Sequence, residues 1–262
     1  MRPSSSPSES ILIRGLKELS LPFAPAQVGA FMTYLSELRK WTKAYNLTSL
    51  KTDEDIIVKH FLDSLLYLKA LPDREVSVMD AGSGAGFPGI PLKIMRPAIR
   101  MYLLEPSRKK ANFLRHITRT LALDAIEVLE KRIEEVKSLT VDVAVTRALF
   151  EIKEFIEKAS PHVKEGGRLI LSKGPKVKEE LKGIKEMHCE VLTLFLPTTQ
   201  IKRFLIVIRK ESADLTPEEI PPKSGAYRAS TIFNITCVNS ECRLRKAGCR
   251  GFEGCPGFKA RD

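Results

Sequence analysis

The sequence lacks any apolar run near the roughly 18 residues a helix needs to cross a bilayer, which excludes a helical integral membrane protein. Its first ten residues, MRPSSSPSES, have no apolar core, so they do not read as a secretory signal and are expected to form a disordered tail. Cysteine is scarce: of five, only Cys189 precedes Cys237. The expected location is the cytoplasm, where thiols stay reduced. No internal repeat is present. No Ser–His–Asp set or pair of carboxylates stands out at a spacing that suggests nucleophilic or paired-acid catalysis. Acids are in deficit, 32 against 43 Lys and Arg, for a formal charge of +11. That excess favours a polyanionic partner, nucleic acid first; a well-solvated basic surface is the bland alternative.

What is present is an alternation. In residues 11–74, Val28, Phe31, Met32, Leu35, Leu38 and Trp41 recur at helical spacing, as do Ile56, Phe61, Leu65 and Leu68 further on. This region reads as an N-terminal helical extension. Thr52, three residues before Asp55, marks a helix entry, and Pro72 an exit. From 75 to 211 short apolar runs alternate with helical patterns. Strands are expected at 76–80, 101–105, 126–129, 141–146, 168–172, 191–196 and 204–209, with helices at 107–121, 151–163 and 177–187. Nearly unbroken Val/Ile/Leu strands between helices imply an α/β fold, a mostly parallel seven-stranded sheet covered on both faces. The segment PTTQIKR is too short for a parallel crossover, so the last two strands should pair as an antiparallel hairpin. Residues 212–262 read as a proline-rich linker followed by a small cysteine-rich module.

The densest motif is VMDAGSGAGFPGIPL, from Val78 to Leu92. Gly84, Gly86 and Gly89 form G-x-G-x-x-G between an expected strand and an expected helix. Glu105 ends the next strand about 20 residues on, where an acid can accept both ribose hydroxyls of an adenosine. Such a loop could seat a dinucleotide, S-adenosylmethionine, or nothing. Asp80, at the mouth, would repel a pyrophosphate and suit the cationic amino-acid end of S-adenosylmethionine. Pro88 removes an N–H that a pyrophosphate would want at the helix start. An NAD-dependent oxidoreductase on a Rossmann-like core is the alternative.

The segments DAGSGAGFPGIPLKI, LLEPSRKKANFLR, WTKAYNLTSL, VKHFLDSLL and VTRAL, together and in order over about residues 28–210, resemble the ribosomal RNA small subunit methyltransferase G family, also called glucose-inhibited division protein B. The resemblance implies a class I methyltransferase that uses S-adenosylmethionine to methylate guanine N7 in 16S ribosomal RNA. It implies that Gly82 and Phe87 line the cofactor, that Ile133 and Glu134 meet its adenine, that Glu105 holds its ribose, and that Arg147 faces cofactor and substrate. A non-catalytic ribosome-binding factor that keeps the fold as a scaffold is a further alternative. N7 carries a free lone pair at neutral pH, so the reaction needs no base. Catalysis then rests on holding N7 in line with the methyl group and on managing charge. Arg147, after the fourth strand, is the residue expected to carry that role.

Three further candidates face the RNA question. His60 and Asp63 share a helix face, either to dock the helical extension or to meet substrate. Lys173 ends the fifth strand as an RNA phosphate contact or a solvated lysine. Arg108, Lys109, Lys110, Arg115 and Arg119 line one amphipathic helix, a phosphate-binding or simply solvated face. In the tail, Cys237, Cys242, Cys249 and Cys255 suggest a metal site, four-thiolate zinc or an iron–sulfur cluster, without the C-x2-C knuckles that mark zinc; disulfides or unused thiols are the other readings. The expected partner is small-subunit ribosomal RNA or its assembling particle, and no membrane.

Overall fold

The computed structural model describes residues 6–174, 177–182 and 189–210. Seven strands form one sheet: β1 (Ser77–Ala81), β2 (Arg100–Leu104), β3 (Ile126–Leu129), β4 (Val141–Arg147), β5 (Val163–Lys173), β6 (Cys189–Phe195) and β7 (Lys202–Arg209). Their spatial order is β3-β2-β1-β4-β5-β7-β6. The first five run parallel, and β7 is antiparallel to both β5 and β6. This is the sheet that the alternation predicts, reversed hairpin included. The chain leaves β1 toward β2 on one side and later returns to place β4 on the other, so loops at the carboxyl ends of β1 and β4 diverge. An open α/β sheet binds its ligands in such a crevice.

The period-two pattern of the strands feeds two cores. Val78, Met101, Leu103, Val143 and Val145 face α1 (Pro7–Glu18), α2 (Pro25–Tyr45), α5 (Gly89–Met95) and α6 (Arg108–Thr120). Met79, Ala81, Leu104, Ala144 and Leu169 face α7 (Ile152–Ala159) and the start of α8 (Val177–Lys182).

The expected tail over 1–10 is corrected at its end: α1 starts at Pro7. Ser6 Oγ accepts the Glu9 N–H at 3.2 Å, and proline suits the first helical position. The extension therefore begins earlier than residue 11. After Thr52 one helical run changes pitch repeatedly. It passes through α3 (Asp53–Ile56), a π turn (Ile57–Leu62), α4 (Asp63–Leu65) and a 3-10 turn (Leu66–Lys69). Thr52 Oγ1 caps it from the Asp55 N–H at 3.1 Å, as the spacing predicts. The changing pitch spreads burial around the axis. Ile57, Leu62, Leu66 and Tyr67 are buried beside the expected Ile56, Phe61 and Leu65, while Leu68 is only partly covered.

The expected strand at 168–172 is the second half of a longer β5, because Val163 already pairs with Val141 before the register shifts. The preceding helix accordingly ends at Ala159. Cys237, Cys242, Cys249 and Cys255 lie outside the described residues. Among the described residues no helix is long and apolar enough to cross a membrane, and no group of three or more His, Cys, Asp or Glu could hold a metal ion.

Candidate active site

The glycine turn is laced to the end of β2. The N–H groups of Gly82 and Ser83 both donate to the Leu104 carbonyl at 2.9 Å. Glu105, the next residue, accepts the Gly84 N–H on Oε2 at 2.9 Å and the Ser107 N–H on Oε1 at 2.8 Å. Each carboxylate oxygen keeps a lone pair for a further donor. Gly84 has φ +60°, which L side chains adopt at a cost, and no atom lies closer than 4.0 Å to the Cβ it lacks. Gly89 answers a different need: a Cβ there would run into Leu103 and stand 2.9 Å from Asp80 Oδ2. Asp80 itself is fully buried. Its Oδ2 accepts the Gly89 N–H at 2.9 Å, and its Oδ1 meets no partner among the described residues. Burial pushes this carboxyl up to about 7.

Gly86 lies under the N-terminal helices, its α-carbon facing Ile90 and the Tyr34 hydroxyl. Tyr34 donates to the Ala85 carbonyl at 2.5 Å and so pins the turn from α2. Phe87 is 4% exposed and packs against His60, Tyr34 and Phe61, with ring centroids 4.4, 5.4 and 6.0 Å away. Its ring, expected to line the cofactor, is largely taken up by this packing.

Arg147 ends β4 on the far side of the crevice, and the structure surrounds it with the π turn. Its Nη1 donates to the Lys59 carbonyl at 3.2 Å and to Asp63 Oδ2 at 3.5 Å, and its Nη2 donates to His60 Nδ1 at 3.0 Å. The guanidinium carbon lies 5.1 Å from the Phe87 ring centroid, a cation–π distance. Arginine can only donate, so His60 Nδ1 must accept. The proton of the neutral ring then sits on Nε2, 2.7 Å from Thr48 Oγ1. Burial, followed by the nearby Arg147 charge, lowers the His60 pKa to about 3. Asp63 holds Arg203 Nε on Oδ1 at 2.7 Å; burial raises its pKa while the two arginines oppose that. The expected face shared by His60 and Asp63 is real, but each turns to Arg147 rather than to the other.

Other candidates sit differently. Ile133 is buried in the core that faces α7, in a 3-10 turn after β3, and Glu134 beside it is exposed and paired with Lys158 at 2.5 Å. Lys173 is an internal strut: its ammonium donates to the Phe150 carbonyl at 2.7 Å and meets Glu180 Oε2 at 2.8 Å. Lys173 is thus engaged internally, and His60 joins the helical extension to β4 through Arg147. On α6, Arg115 pairs with Glu130 at 3.0 Å, whereas Arg108 and Lys109 are exposed at its start.

The sequence reasoning missed Tyr34, Thr48, Tyr67, Leu149 and Arg203. Tyr67 bridges the strand ends, donating to the Thr146 carbonyl at 2.5 Å and accepting the Ser172 N–H at 3.1 Å. Leu149 is 55% exposed yet lies over Gly82. A tyrosine on a mostly buried helix face was the one available signal; the others needed the fold.

The fold and the site together define a class I methyltransferase: a reversed seventh strand, a glycine turn after β1 and an acid closing β2. A crystal structure of a methyltransferase from Pyrococcus furiosus has a similar fold, with TM-score 0.52 at 14% identity, covering 68% of this chain and 96% of that one. The sequence pattern of the rRNA small subunit methyltransferase G family matches residues 27–205. The ribosomal RNA small subunit methyltransferase G of Caldanaerobacter subterraneus subsp. tengcongensis is 35% identical over 86% of this chain and 98% of its own length. That of Geotalea uraniireducens is 38% identical over 78% and 97%. The chain belongs to the rRNA small subunit methyltransferase G family.

Proposed function

We propose that this protein transfers a methyl group from S-adenosylmethionine to guanine N7 in small-subunit ribosomal RNA. The observation that carries the reading is the state of the acids and bases in the crevice. Both nitrogens of His60, both oxygens of Asp63 and both oxygens of Glu105 already have partners. The one orphan among these groups in the described residues, Asp80 Oδ1, is assigned to the cofactor and not to a base. A hydroxyl or exocyclic amine target would need a base to take its proton, but N7 needs none.

The residues fit the cofactor. Glu105 stands where ribose hydroxyls can donate to it. The unpartnered Asp80 Oδ1 suits a cationic ammonium group. A pyrophosphate would need the Gly89 N–H that Asp80 already occupies, which disfavours the dinucleotide alternative. When bound, the cofactor supplies a methyl group on a positively charged sulfur. Arg147, at the opposite strand end, orients the RNA. Rate then comes from alignment and from a crevice whose charges are fixed before substrate arrives.

The substrate is 16S ribosomal RNA or its assembling particle, in keeping with the +11 charge, and the working location is the cytoplasm. A zinc or iron–sulfur site at Cys237, Cys242, Cys249 and Cys255 rests on those cysteines alone; metal analysis of the full chain tests it. For the main reading, mass spectrometry of ribosomal RNA incubated with the protein and labelled cofactor should find one new 7-methylguanosine. A label at another base or on a ribose hydroxyl would overturn it.

A further inference from the structure

Arg147 has five N–H donors. Three are committed: two on Nη1, to Lys59 and Asp63, and one on Nη2, to His60. Among the described residues the Nε–H and the second Nη2 hydrogen have no acceptor. One face of the guanidinium is turned to Phe87. The side chain is 17% exposed, so only part of it can meet a ligand.

Two free donors at adjacent nitrogens match a pair of oxygens. Guanine offers O6 and N7 to such a fork, but N7 is the atom to be methylated and must stay open. The methylated base also gains positive charge, which an arginine against it would oppose. A phosphate has two equivalent anionic oxygens and neither difficulty.

We propose that His60 is a positioning residue that, as the Nε2–H tautomer, holds Arg147 so that its Nε–H and one Nη2–H form a fork for a single RNA phosphate. This deepens the proposed function and rests on it. Thr48 sets the tautomer by accepting the Nε2 proton, and the stacking on Phe87 sets the ring plane. The ring also stays neutral at physiological pH, because burial and Arg147 hold its pKa near 3. It therefore never becomes a donor that would push Arg147 away.

The test compares wild type, His60→Phe, His60→Asn, Arg147→Ala and the His60→Phe/Arg147→Ala double variant. His60→Phe keeps a ring against Phe87 but has no acceptor; His60→Asn restores an acceptor near the Nδ1 position. Methylation kinetics on small-subunit RNA are measured over a salt series, with cofactor affinity by calorimetry. His60→Phe should raise the KM for RNA about tenfold with kcat within about threefold, since a phosphate contact binds ground and transition states alike. The slope of log KM against log salt should shrink by roughly 0.7 to 1, the loss of one phosphate contact. His60→Asn should recover most of the KM, and the double variant should match Arg147→Ala, because coupled residues are not additive. Cofactor affinity should not change. A wild-type KM in His60→Phe, an unchanged salt slope, additive losses, or an equal fall in cofactor affinity would each overturn the proposal. Should wild type not methylate this RNA, the proposed function fails; the same salt series on RNA binding then still decides whether the fork exists.

Discussion

The two walls of the crevice are built by different means. On the β1–β2 side, everything that grips lies within one stretch and its neighbour strand: Asp80, the glycine turn and Glu105, joined by backbone N–H donors. On the β4 side, Arg147 is held by Lys59 and His60 of the π turn and by Asp63 at the start of α4, and these are tied in turn to Thr48 and to Arg203 on β7. The first wall is a backbone device that leaves acceptor positions open on Glu105. The second is a side-chain network that aims one cation. Tyr34 and Phe87 join them, since Tyr34 pins Ala85 and stacks on Phe87, which in turn carries His60 and Arg147.

If the network wall is cooperative, breaking its hub should cost most. Asp63→Ala leaves Arg147 and Arg203 without their buried carboxylate. It is expected to lower stability by roughly 3–5 kcal/mol, the usual result of removing one partner of a buried pair, read as the midpoint of denaturant unfolding. A loss below about 1 kcal/mol would mean the network is no more than a surface pair.

The backbone wall should instead fail in ligand binding. Glu105→Ala removes two charge-assisted hydrogen bonds and, on the proposed function, the ribose acceptor, so cofactor affinity should fall about 100-fold, or about 2.7 kcal/mol, while RNA affinity changes little. Arg147→Ala should give the reverse pattern in the same pair of assays. Equal losses in both assays for both variants would erase the distinction between the walls.

A smaller effect sharpens the contrast at the turn itself. Gly84→Ala should cost about 1–2 kcal/mol, because φ +60° strains an L side chain even with open space in front of it. Differential scanning calorimetry reads this directly.

The walls should also titrate in opposite directions. Asp80 is raised to about 7 by burial, so its contribution is present at low pH and is lost as pH rises from about 4 through 7. His60 is lowered to about 3, so its contribution is present above about 6.5 and is lost as pH falls toward 3. Each slope is at most about 1.4 kcal/mol per pH unit, and between about pH 4 and 6.5 they oppose. Asp80→Asn should therefore unmask stability that falls with acid, and His60→Phe stability that falls with base. Parallel pH–stability curves for the two variants would contradict this pairing.

The smallest expected effect concerns Lys173. With its ammonium committed to Phe150 and Glu180, Lys173→Ala should cost about 1 kcal/mol or less of stability and leave the salt dependence of RNA affinity unchanged. A reduced salt slope would restore the phosphate role that its position suggested.

The legibility of the molecule follows the same division. The sheet could be read because each strand is a short, continuous apolar run and each connection has a length that allows only certain pairings. The glycine turn could be read because its residues are consecutive, and Glu105, 21 residues from Gly84, because a single strand–helix–strand unit fixes where the next strand ends. Phe87 and Lys173 were legible as positions but not as contacts. The placement of Phe87 in the glycine turn and of Lys173 at a strand end is visible in the sequence, whereas the groups that occupy them come from α2, the π turn, the segment before α7, and α8. The pitch change after Thr52 was not legible either, since the apolar pattern of that run fits an ordinary helix.

Composition, periodicity and chain spacing were enough by themselves to determine an α/β fold with a mostly parallel seven-stranded sheet and a candidate ligand loop, whereas the methyltransferase reading came from the resemblance of its motifs. These are local patterns, set by backbone geometry and alternating burial. Only the tertiary structure decided what Arg147 contacts, because its donors are assigned by acceptors 84 to 88 residues away in the chain. No local rule relates such residues. They meet because two hydrophobic faces pack, and the hydrogen bonds between them are whatever that packing leaves within reach.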